Sequence, residues 1–146
     1  MAVVEKATID RIQDEIIEEF SMLDDPMDRY EYIIEIGKQL PPLDEKYKTD
    51  ANLVKGCLSK VWLHSYQQDG RVVYEADSNT AITKGIIALL IRVLSNQKPD
   101  DIVHADLYFI PKIGLQAHLT SQRANGLAAM IKQMKLDAIA MSRQSN

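Results

Sequence analysis

Hydrophobic residues recur at three- and four-residue steps near the start of the chain, at Ile9, Ile12, Ile16, Phe20 and Leu23. That spacing predicts one face of a helix. Asp14, Glu15, Glu18 and Glu19 fill the other face, as in an ordinary amphipathic helix, and Thr8 is placed to cap it. Asp25-Pro26 predicts a second helix start, because Asp caps well and Pro suits the first helical position. Its buried stripe is Tyr30, Ile33, Ile34, Gly37 and Leu40, and Pro41-Pro42 ends it for want of helical donors. Leu43 to Thr49 reads as a loop, and Asp50 as the cap of a short helical turn running to Val54.

The period then changes from helical to alternating. Ser59 to Tyr66 places Val61, Leu63 and Ser65 on one face and Trp62, His64 and Tyr66 on the other. Gln67-Gln68-Asp69-Gly70 supplies turn chemistry, and Arg71 to Ala76 carries Val72, Val73 and Tyr74. Together they predict an antiparallel hairpin. Asp77-Ser78-Asn79-Thr80 is dense in capping residues. The helix expected after it, Ala81 to Leu94, carries Ile82, Ile86, Leu89, Leu90 and Val93 with few polar positions, which marks it as the central buried helix. Gly85 inside it costs about 1 kcal/mol in propensity, so close packing against another element is expected there. Pro99-Asp100-Asp101-Ile102 reads as a short helix start, whereas Asp106 to Ile113 fits neither period and Gly114 is a stop. Thr120-Ser121 opens a last helix with Leu127, Met130, Ile131, Met134 and Ala138 as its stripe, and Ser142 to Asn146 is expected to fray.

No repeat or low-complexity linker divides the 146 residues, so residues 1–146 read as one domain with an ordered core over about 8–141. With 46% hydrophobic and 26% charged residues the composition is that of a soluble globular protein. The balance of 17 basic and 21 acidic side chains gives a net charge of −4, and no basic run appears, which argues against a nucleic-acid partner. The longest apolar run, Ile86 to Ile91, is far too short for a bilayer, and Met1 to Asp10 lacks a secretory pattern. A solitary cysteine fits a reducing compartment, and a cytoplasmic location is expected.

That cysteine, Cys57, is the one position where the sequence offers chemistry. A single thiol excludes an internal disulfide and any site built from several thiolates. It leaves a buried structural residue or one reactive sulfur. Gly56 allows a sharp turn just before it, the loop-to-strand junction suits presentation of a side chain, and Lys55 and Lys60 place positive charge nearby, which favours thiolate. Taken alone, these features leave both readings open.

Four ordered segments extend the picture: Tyr32-Ile33-Ile34-Glu35-Ile36-Gly37-Lys38-Gln39-Leu40-Pro41-Pro42-Leu43, Val54-Lys55-Gly56-Cys57-Leu58-Ser59-Lys60-Val61-Trp62, Ala76-Asp77-Ser78-Asn79-Thr80-Ala81-Ile82-Thr83-Lys84-Gly85 and Leu119-Thr120-Ser121-Gln122-Arg123-Ala124-Asn125-Gly126-Leu127. Together they closely resemble the SufE family of sulfur-acceptor proteins, over about Asp10 to Ala138. The resemblance implies an α+β fold in one domain, with a small antiparallel sheet packed by several helices, similar to IscU-type scaffolds. It implies a partner, a pyridoxal-phosphate-dependent cysteine desulfurase of the SufS kind, and a downstream iron–sulfur scaffold. Cys57 matches the family's acceptor, which takes sulfur as a persulfide by transpersulfidation and stimulates the desulfurase. Such a protein is a sulfur-transfer accessory rather than a stand-alone enzyme, and it needs no cofactor or metal of its own.

Leu58 and Lys60 depart from the family pattern, where glutamine is common, while Gly56, Ser59, Val61 and Trp62 agree with it. Asp77 and Arg123 also match. Asp77 is expected near the cysteine loop or as a helix cap. Arg123 is expected at the partner-facing surface, bracing the loop, or pairing with a local acid. Ser59 is a candidate for bonding the thiol region or satisfying a turn, and Trp62 for the core or a wall beside the sulfur.

Other chemistries fare worse. A cysteine hydrolase needs a histidine base. His64 lies seven strand residues on, roughly 20 Å away and on the opposite face. His104 and His118 could approach only through the fold. Metal-ligand spacing is missing, and a cluster scaffold would need about three cysteines. A non-catalytic adaptor that activates the desulfurase, or a redox-sensing thiol, remains as the alternative. Since an open persulfide would be lost to small thiols, Cys57 is expected to be partly sheltered, against residues such as Trp62 and Val54.

Overall fold

A computed structural model describes residues 8–115, 119 and 121–144, with the backbone alone for 121–123. Within them the architecture is α+β, as expected. Helices α1 (Thr8–Ser21) and α2 (Pro26–Lys38) lead through two short 3-10 turns to a hairpin of β1 (Val61–Gln68) and β2 (Arg71–Ser78). Helices α3 (Ala81–Leu94), α4 (Pro99–Val103), α5 (Phe109–Lys112) and α6 (Ser121–Gln144) follow.

The apolar run read as the central helix is α3, with the bounds expected. It is buried nearly all round and packs on α1, α2, α6 and β2. At its crossing with α2 the two backbones nearly touch. A Cβ added to Gly85 would lie 2.1 Å from the Ile33 carbonyl oxygen, and one added to Gly37 would lie 2.6 Å from the Gly85 nitrogen. Two glycines are thus what permits α2 and α3 to approach this closely, and the propensity cost of Gly85 is offset by that packing. In α2, Asp25 caps as expected by accepting the Met27 amide at 2.9 Å, but only Ile33 and Gly37 are fully buried, while Tyr30, Ile34 and Leu40 are half-covered.

The hairpin is longer than the alternation indicated. Asp69 and Gly70 alone form the turn, both at positive φ (54° and 76°), which matches the twist of a two-residue hairpin loop and leaves Gln67 and Gln68 in the strand. At the other end β2 runs on through Asp77 and Ser78, which pair with Trp62 and Val61. Asp77 is therefore a strand residue and not a helix cap. The N-cap of α3 is Thr80. Ser59 and Lys60 precede β1 rather than belonging to it.

Other differences are small. Thr49, not Asp50, precedes the 3-10 turn Asp50–Asn52, which stops short of Val54. The ambiguous stretch after Asp106 holds the short helix α5. It is positioned by Gln13, a fully buried polar residue of α1 whose amide accepts the Phe109 N–H and donates to the Asp106 carbonyl, each at 3.1 Å. Helix α6 buries Leu127, Met130, Met134 and Ala138 and continues through Gln144, so Ser142 to Gln144 are helical rather than frayed. Residues 145 and 146, and the start proposed at Thr120, lie outside the described residues.

Candidate functional site around Cys57

Cys57 lies within residues 55–60, a loop closed at its root by backbone pairing. The Val54 N–H donates to the Val61 carbonyl at 2.9 Å, and Leu53 bridges Trp62. Beyond the root the chain turns at Gly56, whose φ of +94° is the left-handed region that disfavours any side chain. The turn sends consecutive side chains in opposite senses. Cys57 is half-buried and packs on the core, whereas Leu58 is 78% exposed.

The wall beside the sulfur is α6. The Cys57 Sγ donates to the Gly126 carbonyl at 3.5 Å, and a Cβ on Gly126 would stand 3.5 Å from Sγ. Gly56 rests on the next turn of α6, where its missing Cβ would be 3.2 Å from that of Ala129. The expected shelter is present, then, and Gly126 is the neighbour that provides this wall. Burial pushes the Cys57 thiol up from its ordinary range. Lys55 and Lys60, expected to favour the thiolate, are exposed, and burial is the cause of the shift.

The far side of the loop is tied to the start of α3. Ser59 Oγ accepts from Thr80 Oγ1 at 3.0 Å and from Thr83 Oγ1 at 3.4 Å. The Lys60 N–H donates to Asn79 Oδ1 at 2.9 Å, and the Asn79 N–H returns to the Lys60 carbonyl at 3.2 Å. Ser59 is thus a tether to α3, bonded to Thr80 and Thr83 rather than to the thiol.

Asp77 pairs with Lys48 at 3.1 Å and Lys84 at 3.3 Å. Burial alone would raise its carboxyl. The Ser78 amide and the two ammonium groups outweigh that and hold it below the usual range. Lys48 also lies 5.8 Å from the ring centroid of the half-buried Trp62, opposite Asp77 in the sheet, so Asp77, Lys48 and Trp62 brace the hairpin where it leaves the loop. Arg123 falls in the first turn of α6, and its side chain lies outside the described residues, as does His118. His64 stacks on Tyr47, ring centroids 3.7 Å apart, and His104 bonds the Asp100 carbonyl on α4, so neither is placed as a base for the thiol. No cluster of three or more His, Cys, Asp or Glu that could hold a metal occurs among the described residues. Nor is any helix among them long and apolar enough to cross a membrane.

Sequence reasoning found the loop and its cysteine but missed Gly126, Ala129, Asn79 and Lys48. The glycine within the last helical pattern was the signal available for Gly126, since such a glycine often marks a close approach.

Comparison with known proteins bears on the family and the fold. Residues 14–138 match the family model described as SufE, Fe-S metabolism associated domain. The chain is 41% identical over 130 residues to an uncharacterized SufE-like protein of Rhizobium meliloti, covering 86% of this chain and 93% of that one. It is 41% identical over 138 residues to a SufE-like protein of Synechocystis, covering 94% and 87%. It is 40% identical over 126 residues to SufE-like protein 1, chloroplastic/mitochondrial, of Arabidopsis thaliana, covering 86% of this chain and 34% of that one. The solution structure of a hypothetical protein from Thermus thermophilus has the same fold, with a TM-score of 0.75 at 19% identity over 90% of this chain and 96% of that one. From the match across most of its length, the chain belongs to the SufE family, whose domain is associated with Fe-S metabolism.

Proposed function

We propose that this protein accepts sulfane sulfur on Cys57 from a pyridoxal-phosphate-dependent cysteine desulfurase and passes it to an iron–sulfur scaffold. One observation carries the reading: the sole thiol of a SufE-family chain sits on a glycine-turned loop, held against α6 by one hydrogen bond from sulfur and by van der Waals contact. In the closed loop burial and the Gly126 carbonyl favour the protonated thiol, which is not a nucleophile. Docking of the desulfurase draws the loop off α6. The sulfur then leaves the carbonyl for solvent and the neighbourhood of Lys55 and Lys60, where the thiolate forms.

The step itself is thiol exchange. The Cys57 thiolate attacks the terminal sulfur of the donor's persulfide. The new S–S bond forms on Cys57, the donor's S–S bond breaks, and its cysteine leaves as a thiolate. No net oxidant or reductant is consumed. Closing the loop again shields the persulfide from small thiols. Asp77, with Lys48 and Lys84, holds the hairpin at the loop's exit, Ser59 tethers the loop to α3, and Arg123 is assigned to the partner-facing side of α6. A single unpaired thiol suits a reducing compartment, and the cytoplasm is the location that goes with this reading.

The test is to incubate protein, desulfurase and labelled cysteine and read intact mass. A gain of about 32 Da per transferred sulfur on Cys57 is expected. An unmodified Cys57, with a Cys57→Ser variant that stimulates the desulfurase fully, would replace this reading with that of a non-catalytic adaptor.

A further inference from the structure

A polar pocket of about 400 Å³ opens between the root of the cysteine loop, β1 and α6. Lys55, Asn52, His64, Ser65, Gln133 and Asp137 contribute to its walls. Asp137 is half-buried on α6. The Ser65 hydroxyl donates to one of its oxygens at 2.9 Å and the Gln133 amide to the other at 2.8 Å. Among the described residues no cation pairs with it. Ser65 occupies an inward position of β1, two residues beyond the buried Leu63, where packing alone would call for an apolar side chain. Two donors from two elements thus fix a carboxylate in one orientation, and a carboxylate has lone pairs to spare beyond them. Neither donor carries a charge, so a ligand ammonium would add the charge-assisted partner that this carboxylate lacks. Lys55, an exposed ammonium in the same pocket, makes no ion pair with Asp137.

We infer that this pocket binds a small neutral α-amino acid as its zwitterion, the ammonium on Asp137 and the carboxylate on Lys55. The fixed anion demands a cation. The lysine disfavours a bare cation and selects a group that also carries negative charge. The volume takes a small amino acid together with bridging water. Gln133 and Asp137 lie seven and eleven residues beyond Gly126 along α6, about 10 to 17 Å at 1.5 Å per residue, so the carboxylate end of the pocket stands apart from the thiol, while Lys55 belongs to the cysteine loop; binding is read on the free protein, without desulfurase or sulfur transfer.

Titration of the full chain with L-alanine, followed by amide chemical shifts, tests it. Saturable shifts are expected at Lys55, Ser65, Gln133 and Asp137, with N-acetyl-L-alanine and L-alaninamide each binding about tenfold or more weakly, since each lacks one charge. Asp137→Asn should weaken L-alanine binding by a similar factor. Lys55→Gln, on the exposed loop where folding is not at stake, should do the same. Absence of saturable shifts, or undiminished binding to Lys55→Gln, overturns the inference. Equal binding of L-alaninamide overturns it in favour of a simple cation site.

Discussion

Where α2 crosses α3, a methyl on Gly85 would sit 2.1 Å from a backbone carbonyl. Where the cysteine loop meets α6, a methyl on Gly126 would sit 3.5 Å from Cys57 Sγ. Both contacts are made at glycine, but only the first is closed to every other residue. Backbone against backbone cannot yield without moving a helix, whereas the second contact is ordinary van der Waals distance against one side chain and a loop. The first locks the core, and the second is the contact that the proposed function requires to open. Glycine at a packed position therefore marks close approach, and the atom it meets decides whether the approach is permanent.

The comparison breaks most visibly at α3. Gly85→Ala should destabilise the protein by about 3 kcal/mol or more, since the overlap falls on main chain. The melting temperature followed by circular dichroism should drop by roughly 10 °C. A melt within a degree of the original would show that this crossing is not locked. Gly56→Ala comes next. Its left-handed φ should cost about 1–2 kcal/mol, levied mainly on the closed loop, so alkylation of Cys57 should quicken by about tenfold with only a modest change in the melt. An unchanged alkylation rate would mean the loop does not depend on that turn.

The pH dependence sharpens the contrast. The folded thiol is raised above an ordinary cysteine, so above the unfolded value near 9.0 the open or unfolded chain ionises while the closed loop stays protonated. Stability of the closed loop is intact below that pH and falls as pH rises through the folded value. Alkylation of Cys57 should keep accelerating at pH values where an exposed thiol has levelled off. A plateau at the ordinary position would argue against the buried, carbonyl-bonded sulfur. The smallest effect belongs to Gly126→Ala. Its methyl meets Sγ at contact distance and gains helix propensity, so stability should shift by less than about 1 kcal/mol and alkylation by no more than about threefold. A loss rivalling that of Gly85→Ala would erase the distinction between the two seams.

Helix α3 was legible to the residue because its apolar positions wrap almost the whole surface, and Asp69-Gly70 was legible as a turn because few residues accept its torsions. Cys57 stood out through Gly56 and the ordered motifs around it. What was hidden is non-local. The sulfur's partner is 69 residues away on α6, and Gln13 holds a segment more than 90 residues on. The strand extension over Asp77 and Ser78 looked like capping chemistry because both residues favour caps. Their pairing with Trp62 and Val61 overrides that preference. Lys55 and Lys60 were read by proximity in sequence, and the fold turns the sulfur towards Gly126 while both stay exposed.

The knot of Val54 and Val61 fixes how far the sulfur can travel. With the hairpin intact, Cys57 hangs three residues from that knot, a leash of about 10 Å at full stretch. The proposed donor must therefore bring its sulfur to the rim of a shallow recess rather than to the floor of a deep one. A donor whose sulfur lay much deeper would have to unzip the sheet of this protein before any atom could change hands.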